Sequence, residues 1–142
     1  MLTMTVERAL MLDECVLPPG VRVKRIPDEP TISNDWLQWC ASPIAIPADE
    51  TSVGLLRSQR VDSALFEVAE WHTEAELFLM IAGEGTILLP DGQAWQLVRL
   101  PEGTVLRVER GTPHYWGPAV SSEAVCAVAT SATAQTRYVY LA

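Results

Sequence analysis

Residues 64–83 read ALFEVAEWHTEAELFLMIAG, and the fold follows from how this stretch alternates. Two short apolar runs, Ala64–His72 and Ala75–Ala82, flank a polar Thr73-Glu74 break. In an extended chain, successive side chains point to opposite faces. Glu70 and His72 then share a face with Phe66 and Val68. In the second run, Glu76, Phe78, Met80 and Ala82 share one face, and Leu77, Leu79 and Ile81 the other. A strand apolar on both sides needs cover on both sides. One cover is a barrel interior; the other is the N-terminal arm or a second subunit, giving a homodimer.

The same pattern continues outward. Val53–Gln59, Gly85–Leu89, Trp95–Leu100, Val105–Val108, Pro113–Gly117, Ala124–Thr130 and Arg137–Leu141 are short apolar runs bounded by Gly, Pro, Asp or Ser. Many short, evenly spaced strands without a helical period predict an all-β, antiparallel sandwich or barrel. Gly83-Glu84-Gly85 and Pro90-Asp91-Gly92-Gln93 are predicted hairpin turns, because glycine adopts the positive φ such turns need.

Residues 1–50 differ in character. They carry six of the ten prolines and read as an irregular arm packed on a barrel of residues 51–142. Val6–Leu12 fits a strand or one helical turn, and Pro18-Pro19-Gly20 fits a turn. Ser33 or Asn34 can cap a short helix through Trp36, Leu37 and Trp39. Pro43 and Pro47 are expected to keep the chain extended.

Composition narrows the function classes. The chain has 142 residues, enough for one domain with its own core. A net charge of −8 without a basic block disfavours nucleic acid and anionic membrane surfaces as partners. Cys15, Cys40 and Cys126 form no CxxC pair and read as buried free thiols. Glu7 and Arg8 interrupt the apolar start, so no signal peptide is expected. No apolar run reaches the roughly 18–20 residues of a membrane span, and the cytoplasm is the expected location.

Only two histidines occur, His72 and His114, each at a strand end. A carboxylate and an imidazole projecting together from an apolar face are costly to bury, and a metal ion satisfies both.

At this point the residues resemble a known family. The stretch through Glu76 and Gly83 is similar to the first cupin motif, G-x5-H-x-H-x3–4-E-x6-G. Glu76 and Gly83 match, and His72 falls on the second histidine. Glu70 stands where the first histidine would be, and Ala64 where the leading glycine would be. Gly103 through His114 resembles the second motif, G-x5-P-x-G-x2-H-x3-N. Gly111 and His114 match, while Glu109 replaces the proline and Pro118 the asparagine. A rival register with Glu74 in place of the second histidine leaves Phe78 where the glutamate belongs.

The resemblance spans roughly residues 53–130 and implies a double-stranded β-helix, the cupin jelly roll. It implies metal ligands at His72, Glu76 and His114, with Glu70 as a fourth of different chemistry or a general base. Two carboxylates beside two imidazoles favour Mn, Fe, Zn or Ni as the divalent ion. Phe66, Phe78, Met80 and Trp116 are the expected substrate-pocket walls, Trp116 by its parity with His114. Trp71 alternates away, toward packing. Arg57 or Gln59 is a candidate for orienting an anion, with a solvated arginine as the plainer reading.

The implied function is a metalloenzyme acting on a small polar or carboxylate-bearing metabolite, of dioxygenase, isomerase or lyase type. The second reading is a non-catalytic pocket that senses a small ligand or metal. Leu100-Pro101-Glu102-Gly103 followed by Arg110-Gly111-Thr112-Pro113-His114 also resembles the cupin ureidoglycolate lyases. A structural or storage role fits least.

Overall fold

The computed structural model describes residues 1–21, 23, 25, 26, 29, 30, 32–41 and 51–141. Eleven strands occur among them: β1 Ile32–Ser33, β2 Leu37–Ala41, β3 Thr51–Gln59, β4 Val68–His72, β5 Glu76–Ala82 and β6 Gly85–Asp91. There follow β7 Ala94–Leu100, β8 Val105–Val108, β9 Tyr115–Trp116, β10 Glu123–Ser131 and β11 Thr136–Tyr140. Every pairing is antiparallel.

A six-stranded sheet has the order β1-β2-β3-β10-β5-β8. A second layer contains β7-β6-β9 and β11-β4. A Glu70–His114 bridge joins these two pieces, each residue's N–H donating to the other's carbonyl at 2.8 Å. The core lies between the layers. Leu56, Phe78, Val128 and Cys126 come from one, Ile87, Leu100 and Trp116 from the other. Burying each large side chain there contributes about 1.5–3 kcal/mol.

Two glycines are dictated by space. Gly83 has φ +71°, and a Cβ there would meet the Glu123 carbonyl. Gly54 lies under the Trp39 ring, which leaves no room for a Cβ.

Several sequence expectations change. The Gly83-Glu84-Gly85 stretch is not a hairpin. β5 pairs with β10 and β8, and β6 with β7 and β9, so the glycine turns a corner between sheets. Asp91–Ala94 does close a hairpin, with Gly92 at φ +62°.

The expected helix through Trp36 and Trp39 is instead strand β2. Asn34 still caps, its Oδ1 accepting from the N–H groups of Trp36 and Leu37 at 2.9 and 2.8 Å. That cap turns a β1–β2 hairpin. Leu37 and Trp39 alternate with exposed Gln38, a period of two that outweighs the helical reading. Strand β4 begins at Val68, not Ala64. Val6–Arg8 and Leu12–Glu14 are single 3-10 turns, and the Val21 N–H donates to the Pro18 carbonyl to close the expected turn. Pro43 and Pro47 lie outside the described residues. Among the described residues no helix is long and apolar enough to cross a membrane.

Candidate metal centre

Four side chains expected from the sequence meet at one place. Strand β4 supplies Glu70 and His72, two residues apart on one face. Glu76 opens β5, immediately after the Thr73–Ala75 turn. His114 arrives through its backbone bridge to Glu70, and the Gly111 N–H donates to the His72 carbonyl at 2.9 Å. Backbone pairing therefore fixes the second histidine against the first despite their separation in sequence.

The Glu76 Oε1 lies 2.6 Å from His72 Nε2 and 3.2 Å from His114 Nε2. Glu70 Oε1 lies 3.6 Å from His72 Nε2. Glu70, His72 and His114 each offer a ligand atom within 4.8 Å of the others. Yet His72 Nε2, Glu76 Oε1 and His114 Nε2 are buried without hydrogen-bond partners. The contacts are therefore ion-pair distances that fall outside hydrogen-bond geometry. Three orphaned donors and acceptors around one point suit a cation well and an apolar core badly.

The outer nitrogens are tied down. His114 Nδ1 lies 2.9 Å from the Thr112 carbonyl, so it donates there and leaves a lone pair on Nε2. His72 Nδ1 lies 3.1 Å from Thr136 Oγ1 on β11. Burial works against a charged His72. The neighbouring Glu70 and Glu76 carboxylates outweigh it and lift the imidazole to about 9. Burial pushes Glu76 up, but the two imidazoles more than offset this and hold it below the usual carboxylate range.

A cavity of about 270 Å³ opens onto Glu70, His72 and Glu76. His114, 1% exposed, stands behind its wall. Of the expected pocket residues, Phe78 and Trp116 line the cavity, with ring centroids 5.3 Å apart. Phe66 and Met80 do not. Phe66 precedes β4 and packs on Trp36 at 5.5 Å, facing a second hollow. Met80 sits deeper in the core, near Gly85. Trp71 is half-buried outside the cavity lining. Arg57 faces away, 3.6 Å from Glu123, and Gln59 is exposed. Glu74, from the rival register, is exposed as well.

Sequence reasoning missed Leu37, Trp39, Thr136 and Tyr138, which also line the cavity. The alternation in Leu37-Gln38-Trp39 and in Thr136-Arg137-Tyr138 is the signal that finds them.

No protein-family model matches the chain, and no curated protein matches it. Solved structures do. The Fe(II) form of HppE superposes with a TM-score of 0.62 at 16% identity, over 81% of this chain and 62% of that one. Vicilin from Capsicum annuum gives 0.58 at 15% identity, over 77% and 32%. An uncharacterised conserved protein with a double-stranded β-helix domain from Klebsiella pneumoniae gives 0.61 at 11% identity, over 85% and 99%. The chain thus spans about a third of the vicilin and under two thirds of the HppE chain. At these identities the likeness concerns fold alone. The chain has the cupin-type, double-stranded β-helix fold.

Proposed function

We propose that this chain is a metal-dependent enzyme of the cupin type, acting on a small polar metabolite. The observation that carries this reading is the convergence of three buried atoms, His72 Nε2, Glu76 Oε1 and His114 Nε2, which contact one another and have no hydrogen-bond partner outside the cluster. His72 and Glu76 line a cavity of molecular size, and His114 stands directly behind its wall. His72, Glu76 and His114 would hold a divalent ion, and Mn, Fe, Zn and Ni suit this mixture of imidazole and carboxylate. Glu70, the most exposed of the four side chains, is the exchangeable fourth ligand. When bound, such an ion supplies Lewis-acid polarisation of a substrate oxygen. Thr112 and Thr136 hold the imidazoles in orientation, and the Phe78 and Trp116 rings keep water from the floor. That HppE is described with Fe(II) agrees with this choice of ion.

Elemental analysis of the purified protein and of a His72→Ala, His114→Ala double variant tests the centre. The expected result is close to one equivalent of metal in the parent and none in the variant. Less than about a tenth of an equivalent in the parent, even after soaking with each ion, contradicts it.

We also propose a homodimer. Leu77, Leu79 and Ile81 on β5 and Val105 on β8 form an exposed apolar patch on the outer sheet face. Arg57–Glu123 and Arg107–Glu109 pairs rim it. A patch edged by both signs can meet its own copy without the repulsion a net charge of −8 otherwise brings.

A further inference from the structure

The chemistry of the cavity wall narrows the ligand. We propose that the cavity takes an uncharged ligand with an apolar or one-ring body and neutral oxygen acceptors, and discriminates against carboxylates and phosphates. This rests on the metal-centre reading, which sets the charge of the floor.

Two observations lead there. First, charge: Glu70 and Glu76 contribute two negative charges to the floor, which a divalent ion balances. An anionic ligand then needs a cation in the wall, because an unpaired charge is costly to bury. Among the described residues no lysine or arginine lines the cavity. Arg57, Arg99 and Arg107 are paired to Glu123, Glu84 and Glu109 elsewhere, and Arg137 donates to the Gln135 side chain. Arg8, Arg25, Arg60 and Arg110 are exposed. Arg22 and Lys24 lie outside the described residues.

Second, shape and polarity: one part of the wall is apolar and largely aromatic, from Trp39, Leu56, Phe78, Trp116 and Val128. The polar groups of the rim are neutral hydroxyls, from Ser52, Thr130, Ser131 and Tyr138. Tyr115, also on the wall, adds a phenol. At about 270 Å³ the space exceeds the roughly 150 Å³ known to admit benzene.

The test uses the manganese-loaded protein and three probes: benzohydroxamate, 4-carbamoylbenzohydroxamate and 4-carboxybenzohydroxamate. All carry the same metal-seeking end. The last two have the same shape and differ only in charge at the far end. Calorimetric titration is expected to show the carbamoyl probe binding at least about tenfold more tightly than the carboxy probe. Ala132→Lys, at the exposed mouth of the cavity, is expected to shrink that ratio severalfold, because it supplies the missing cation.

Equal or tighter binding of the carboxy probe overturns the proposal while leaving the metal centre standing. A ratio unmoved by Ala132→Lys overturns it too, since the discrimination is then not electrostatic. Failure of all three probes on protein shown to hold manganese also overturns it. Protein that takes up no manganese marks failure of the underlying centre instead.

Discussion

The two faces of β5 carry similar side chains and meet opposite fates. Inward, Glu76, Phe78 and Met80 are 8%, 2% and 2% exposed. Outward, Leu77, Leu79 and Ile81 are 46%, 40% and 45% exposed. Side-chain type does not separate the sets, for the only charged residue of the strand is on the buried side. What separates them is alternation within a sheet that, among the described residues, has a second layer on one side only. A buried carboxylate is tolerated where His72 and His114 contact it, whereas the leucines opposite stay exposed.

Substitutions on the two faces sharpen this contrast. Phe78→Ala removes a ring that touches both Trp116 and His114. It should lower unfolding stability by about 3–5 kcal/mol in denaturant titrations. Glu76→Ala should weaken metal affinity at least about 100-fold, more than is usual for an indirect partner, whereas Glu74→Ala should leave it unchanged. Equal losses from both would break the assignment of faces. Thr136→Val removes only the group beside His72 Nδ1, so a loss of about tenfold is expected by competition with a chelator. On the opposite face, Leu79→Glu should convert a dimer to a monomer in sedimentation while metal content stays the same. A parent that already sediments as a monomer would contradict the dimer.

Acidity offers a smaller effect. In the metal-free protein, His72 is raised from 6.5 to about 9 by its carboxylate neighbours. A raised imidazole stabilises the fold fully below its unfolded value, and that contribution is lost as pH rises through the folded one. Metal-free protein should therefore lose melting temperature between about pH 6.5 and 9. The loaded protein should not, because coordination displaces that proton throughout.

Much of the site was legible in the sequence, for identifiable reasons. Glu70 and His72 are two residues apart in a strand, so their common face follows from extended geometry alone. Glu76 follows a turn that the Thr73-Glu74 break announces. His114 was found from the motif around Gly111, because a bridge between distant strands leaves no local pattern.

Phe66 and Met80 were misplaced for different reasons. β4 starts at Val68, so alternation counted back to Phe66 runs off the strand. Met80 shares the face of Glu76, but four extended residues advance about 13 Å, which carries it to the far end of the core. Leu37 and Trp39 were hidden because the Asn34 cap serves a hairpin as readily as a helix. The β5–β6 corner resembled a hairpin because both need a glycine at positive φ.

The metal centre stands or falls on whether His72, Glu76 and His114 point at one ion. A crystal structure of the manganese-loaded protein, with anomalous scattering recorded for that ion, tests it most directly. The predicted result is one strong anomalous peak about 2.0–2.3 Å from His72 Nε2, His114 Nε2 and Glu76 Oε1. A peak elsewhere, or His72 and His114 turned apart with no peak between them, would contradict it.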